Sequence, residues 1–207
     1  RWTLALLCVV YTFNFMDRQV VSVLAEPIKR DLRLSDTQLG MLTGFAFAIF
    51  YTGFGLPVAA LADRVSRVKV LAAACSLWSL CCAACGLATN FVQLAAARIG
   101  VGLGEAGGVA PSYSIISDLF PPSQRARALA FFSLGVPFGL ALGSALAGWS
   151  AAQWGWRTSL FIVGLPGLAL ALLLIWLVPE PQRGGMDGRA VQPKASLIDG
   201  SIVGVEA

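Results

Sequence analysis

Apolar residues run through this chain in long stretches, and the charged residues gather in short clusters between them. A helix that crosses a bilayer needs about 20 mostly apolar residues. Six stretches reach that length, at about 2–25, 36–62, 69–89, 91–117, 127–150 and 158–178. The breaks between them carry turn and cap chemistry. Glu26-Pro27 and the charged stretch Lys29 to Arg33 end the first. Ser35 has the place of an N-cap for the second, and Gln38, three residues on, completes a capping box. Asp63 to Lys69 separates the second from the third, and Thr89-Asn90 makes the next turn. Pro121-Pro122-Ser123 stops the fourth stretch and caps the fifth, in which Pro137 predicts a kink or local unwinding. Gly155-Trp156-Arg157 precedes the sixth. The expected fold is an all-α membrane bundle of six transmembrane helices over residues 1–178. Residues 179–207, with Gly184-Gly185 and Pro193, read as a polar cytoplasmic linker or flexible tail.

Composition agrees with several spans rather than one soluble core. Residues of the set AVILMFWYC make up 57% of the chain, charged residues 13%, and the mean hydropathy is +0.75. A soluble domain carries about 25% charge. The first apolar run is too long for a cleavable signal and contains Asp17 and Arg18. The five cysteines include a CxxC at Cys82 and Cys85, but there is no second pair and no histidine. They read as small packing residues, and no metal or cofactor is expected. Without histidine no Ser–His or Cys–His nucleophile can form, and no phosphate-binding loop is present, so the chain is not expected to be an enzyme. With the N-terminus inside, Arg1, Arg64, Arg67, Lys69, Arg125, Arg127, Arg183, Arg189 and Lys194 fall on the cytoplasmic side, nine cations in all. The five on the other side are Lys29, Arg30, Arg33, Arg98 and Arg157. That bias predicts both termini in the cytoplasm of a multi-pass protein of the inner membrane. It also accounts for the net charge of +4 without a nucleic-acid partner.

An internal repeat recurs at an offset of 88 to 89 residues. It relates Asp17 to Glu105, Ser35 to Ser123, Ala59 to Gly148 and Ser66 to Gly155. Three spans per unit make the two units opposite in orientation, an inverted 3+3 repeat. Asp17, Arg18 and Glu105 each stand inside an apolar run. A charge at the bilayer centre costs about 2.5–3.5 kcal/mol on insertion scales, so such residues face a cavity or pair with one another. One arginine neutralises one carboxylate and not two, which leaves an acid free to exchange a proton. The bland reading of the same trio is a fixed bridge between the first and fourth helices. Glycines crowd Glu105, and Gly135, Gly139 and Gly143 give the fifth helix a smooth face for close packing. Asp63, near a helix end, is a candidate to latch one conformation by pairing with an arginine from elsewhere. Tyr11, Phe13, Phe15, Phe45 and Phe47 are candidates to line an apolar cavity.

Two local patterns carry a family resemblance. Ala59-x3-Asp63-Arg64-x-Ser66-Arg67-x-Lys69 is similar to the signature turn of the major facilitator superfamily between helices 2 and 3, with Ala59 and Ser66 in place of two usual glycines. Arg98-x3-Gly102-x-Gly104-Glu105-Ala106 resembles the superfamily's helix 4 motif. The antiporter motif of helix 5 is not matched; Gly135-Val-Pro137-Phe-Gly139 only echoes it. Within the superfamily the chain resembles bacterial spinster-like transporters, through Asn14-Phe15-Met16-Asp17-Arg18-Gln19, Leu34 to Gly40, Gly102 to Gly107 and Asp118-Leu119-Phe120-Pro121-Pro122. The resemblance implies the N-terminal half of a twelve-helix secondary transporter. It implies lysolipid or sphingoid-type lipid transport, with Asp17, Arg18 and Glu105 in proton coupling and gating. An organic anion symporter half shares the Asp-Arg of helix 1 and the Gly-Glu-Ala of helix 4. The competing class is a truncated or regulatory membrane subunit that does not transport. The expected partners are membrane lipids, an amphipathic small molecule, and a missing C-terminal half or a second copy.

Overall fold

The computed structural model describes residues 2–187, with the side chains of residues 45–47 outside that description. Arg1, Arg189 and Lys194 of the charge tally therefore lie outside the described residues, as do Phe45 and Phe47 among the aromatic side chains. The described residues are helical, in the order α1 (Trp2–Val23), α2 (Ala25–Leu32), α3 (Asp36–Gly40), a π-helical turn (Met41–Phe45), α4 (Ala46–Arg64), α5 (Arg67–Leu87), α6 (Phe91–Ala106), α7 (Val109–Leu119), α8 (Pro122–Ser133), α9 (Gly135–Gly164) and α10 (Pro166–Leu177).

These helices join into six rods. α1 is the first, α3 through α4 the second and α5 the third. α6 and α7 form the fourth, broken at Gly107-Gly108. The last 56 residues of helix, Pro122–Leu177, contain long apolar runs and fold back on themselves at Gly155. There the backbone takes φ 82° and ψ 165°, a region open to glycine and costly for other residues. Ser150 donates to Ser159 across that turn at 2.8 Å.

The caps explain the boundaries. Ser35 accepts from the Gln38 amide at 3.2 Å while the Gln38 side chain accepts from the Ser35 amide at 2.9 Å, the expected capping box. Ser66 accepts from the Lys69 amide, so α5 begins at Arg67, two residues earlier than hydropathy suggested. Asn90 caps α6 through the Gln93 amide at 3.0 Å. Ser123 is a correction: it caps nothing. Pro121 holds the cap position of α8, its carbonyl accepting from Gln124 at 2.8 Å and Arg125 at 3.2 Å, and Pro122 at the first helical position has no N–H to satisfy. The fifth rod therefore starts at Pro122 rather than near 127. Its break falls at Leu134-Gly135, three and two residues before Pro137.

α1 lies along α9, and the contact is a glycine seam. A Cβ built on Gly139 would stand 2.5 Å from the Thr12 carbonyl oxygen and 2.6 Å from Phe15 Cβ. α5 sits in the middle, against α6, α9 and α10, and α4 rests on α6. The buried cysteines pack in this interior: the Cys75 thiol reaches the Gly167 carbonyl at 3.2 Å and the Cys82 thiol the Leu160 carbonyl at 3.8 Å.

Candidate functional site

Three groups of charge are built on this frame, one inside the bundle and one at each end.

The inner group joins α1 to α6. Asp17 is 1% exposed and Glu105 0% exposed. Arg18 Nε donates to Glu105 Oε2 at 2.5 Å. The Arg18 guanidinium lies over the Phe15 ring at 5.0 Å and over the Tyr51 ring at 4.6 Å, so α1 and α4 hold it from two sides. Such stacking favours a partly desolvated arginine. The trio named from the sequence is thus brought together. A fourth member was misplaced there. Arg98 was counted with the cations outside the membrane, yet it is 3% exposed and stands two turns before Glu105 on the same face of α6. Its charge acts on both Asp17 and Glu105. The cluster therefore holds two acids and two arginines, one arginine more than the sequence reading counted. Gly104, beside Glu105, lets α5 close in: a Cβ there would lie 2.6 Å from the Trp78 amide nitrogen. Gly102 is buried on the same helix.

The second group gathers around the signature turn. Asp63, Arg64 and Lys69 are exposed, but Arg67 is 2% exposed. Its guanidinium bonds Asp118 at the end of α7, Ser114 at 2.9 Å, Glu180 at 2.8 Å and the Pro181 carbonyl at 2.6 Å. Glu180 also accepts from the Ser66 hydroxyl at 2.6 Å and the Val68 amide at 3.0 Å. Burial pushes the Glu180 carboxyl up, but those donors and Arg67 outweigh it and hold the group down at about 2. Arg183 donates to the carbonyls of Ala62 at 2.7 Å, Asp63, and Val65 at 2.8 Å, closing the end of α4. Asp63 meets this arginine through its backbone rather than its carboxylate. Residues 179–187, the start of the segment read as a linker, are thus bound to the bundle, with Gly184 donating to Asp118 at 3.0 Å and Arg125 paired to Asp187 at 2.5 Å.

The third group mirrors the second at the opposite end. Arg157, at the start of the sixth rod, donates to Asp31 at 2.9 Å and to the carbonyls of Gly86 at 3.1 Å and Ala88 at 2.5 Å, at the end of α5. Trp156 Nε1 donates to the same Asp31 at 3.2 Å. Arg67 and Arg157 stand 90 residues apart, and Asp31 and Asp118 stand 87 apart. In each repeat unit the arginine that opens the third rod binds an acid that lies just before the second rod of the other unit. The pairings were not read from the sequence, though the offset that relates them was present in it.

With this geometry in hand, comparison with known proteins places the chain. A profile of the Major Facilitator Superfamily matches residues 7–202, and the chain belongs to that superfamily. It is of spinster-like type: a crystal structure of a bacterial homolog to the human lysosomal transporter Spinster, in an inward-facing and occupied conformation, superposes with a TM-score of 0.84 at 39% identity over 91% of this chain and 46% of that one. An MFS-type efflux pump of Mycolicibacterium smegmatis is 38% identical over 172 residues, 83% of this chain and 40% of the pump. A hexuronate transporter of Bacillus subtilis is 33% identical over 184 residues, 88% of this chain and 43% of the transporter. The chain spans less than half the length of these relatives. That superfamily is one of multi-pass membrane transporters, which are not enzymes.

Proposed function

We propose that this chain supplies the six-helix half of a secondary active transporter that moves an amphipathic small molecule, lysolipid or sphingoid-type lipid, by alternating access coupled to protons. The observation that carries this reading is the set of buried Asp17, Glu105 and Arg98 with half-buried Arg18 between α1 and α6. Four ionisable groups in an apolar bundle are expensive as mere scaffolding, since each costs about 2.5–3.5 kcal/mol to place there on insertion scales. In this reading Arg18 exchanges partners between Glu105 and Asp17 as the transporter turns over, and the released acid carries the proton. A second six-helix unit, from the rest of a longer polypeptide or from a second copy, supplies the facing wall, and membrane lipids cover the outer apolar faces. In this reading both termini face the cytoplasm and the protein lies in the inner membrane, which the cation bias supports.

The test uses the transporter in its complete form, reconstituted in proteoliposomes. Glu105→Gln keeps shape and removes titration. Uptake normalised to folded protein should lose its pH dependence while substrate binding partly survives, and Asp17→Asn should behave alike. Unaltered pH profiles in both variants would make the cluster a structural bridge.

A second reading, the organic anion and proton symporter, gains support from Arg98. A balanced cluster of two acids and two arginines acquires a net positive charge when one acid binds a proton. An anion arriving with that proton restores neutrality, whereas an uncompensated buried charge costs several kcal/mol. The hexuronate transporter among the relatives moves an anion by its name. Uptake compared between lysolipids and sugar acids separates the two.

A further inference from the structure

Asn14 is 2% exposed, and among the described residues neither its amide nitrogen nor its amide oxygen has a hydrogen-bond partner. Asp17 Oδ1 and Glu105 Oε1 share that condition. Buried polar atoms are nearly always satisfied, by protein or by bound water, and an orphaned group costs about 1–3 kcal/mol.

Asn14 precedes Asp17 by one turn on the same face of α1. It faces the break in the fourth rod, where the amides of Gly107 and Gly108 bond back three residues, to Gly104 and Glu105, each at 3.0 Å. A Cβ on Gly108 would lie 4.0 Å from Asn14 Nδ2 and 3.5 Å from Trp78 Cζ3. A small cavity sits at this point, bounded by Asn14, Tyr11, Trp78, Gly108 and Ser112, with about 10 Å³ open to the centre of a water-sized sphere. One water needs about 10–15 Å³ on that measure and two to four polar partners. The Ser112 hydroxyl donates to the Gly108 carbonyl at 2.7 Å, and its oxygen remains able to accept.

We propose that this cavity is a hydration site, in which Asn14 and Ser112 hold one buried water at the break of the fourth rod, a turn away from the Asp17–Glu105 pair. The chemistry selects water over an ion. The Asn14 amide group needs an acceptor and its carbonyl needs a donor. A metal cation meets only the oxygen and an anion only the nitrogen, while water offers both lone pairs and protons. The site lies on the side of the carboxyls toward Arg67 and Asp118, because α1 and α7 run from there to opposite ends of the bundle. Under the proton-coupling reading, on which this last step rests, the water stands about a turn from both acids, and Asn14 is the positioning residue that fixes it there.

Synchrotron radiolysis of the full chain in lipid nanodiscs tests the hydration directly. Radiolysis of a bound water generates hydroxyl radical in place and oxidises the side chains beside it. Trp78 is 1% exposed and walls the cavity; Trp149, 55% exposed, serves as the surface reference. Trp78 should be oxidised in the wild-type chain, and Asn14→Leu, an apolar substitution of similar size, should reduce that oxidation several-fold with Trp149 unchanged. Asn14→Ser, which keeps a polar group, should retain it. A wild-type chain whose Trp78 resists oxidation, or a leucine variant oxidised like wild type, would overturn the proposal. These outcomes are independent of the Glu105→Gln pH profile, so a hydrated site with no proton coupling is recognised as such.

Discussion

Gly139→Ala probes the seam on which α1 and α9 meet. The added methyl would sit 2.5 Å from the Thr12 carbonyl oxygen, 2.6 Å from Phe15 Cβ and 3.2 Å from the Met16 amide nitrogen. Two of these are backbone atoms, which no rotamer change can withdraw, so α1 must back away along the seam. Overpacking of this kind costs about 1–3 kcal/mol, and the backbone contacts put Gly139 toward the upper end. Alanine also favours helix over glycine by about 1 kcal/mol, which has to be removed from the comparison. Gly148, nine residues on in the same helix, provides the correction: nothing lies within 4 Å of its added Cβ. The propensity gain is common to both substitutions, so the difference between them isolates the clash. The assay is thermal unfolding in one detergent, followed with a thiol-reactive fluorophore. Cys75, Cys82 and Cys85 are at most 1% exposed and react only when the bundle opens. Gly139→Ala should unfold several degrees below Gly148→Ala. Equal midpoints, or a more stable Gly139→Ala, would refute the close approach of α1 and α9.

Two further outcomes test the clamp at the signature turn. Arg67→Met should destabilise by about 3–5 kcal/mol, because Asp118 is left buried without its cation, and Arg67→Met with Asp118→Leu should recover part of that loss; a double variant no better than the single would show that the pair does not act through charge. Glu180 lies below its ordinary 4.5 at about 2, so its contribution is complete above pH of about 4.5 and disappears as pH falls toward 2. The shift corresponds nominally to about 3 kcal/mol, reduced to about 1–2 kcal/mol by solvent because the side chain is one-third exposed. Wild type should therefore lose more stability between pH of about 5 and 3 than Glu180→Gln, and parallel curves for the two would remove Glu180 from the clamp.

The rods and the inner trio were legible because both follow from hydropathy. A span announces itself by length, and a lone acid or arginine inside a span has few places to go. Ser35 with Gln38 was legible for a local reason, since a capping box is complete within four residues. Ser123 looked equally good but lost to Pro122, whose ring fixes the first turn without an acceptor. Arg98 was missed because it stands seven residues after the start of α6, close enough to a turn to resemble a loop cation. Only packing against α1 and α5 shows it to be interior. Glu180 was missed for the opposite reason. It lies in a polar stretch that looks like linker, and its partners Ser66 and Arg67 are more than 110 residues away.

The three charge groups stand one inside the bundle and one at each of its ends. At each end an arginine ties the start of a third-position rod to an acid just before the other unit's second rod, and backbone carbonyls complete both clamps. The glycine seam between α1 and α9 adds contacts that leave no slack. Between these anchors the fourth rod is interrupted at Gly107-Gly108, where two amides bond three residues back and glycine places no side chain against the turn. Near that break stand Glu105 and Asp17, each with one carboxyl oxygen that has no hydrogen-bond partner among the described residues, and Asn14 with two such atoms. Interrupted backbone in the fourth rod and unsatisfied polar atoms on α1 and α6 thus occur together inside the bundle, away from the two clamps.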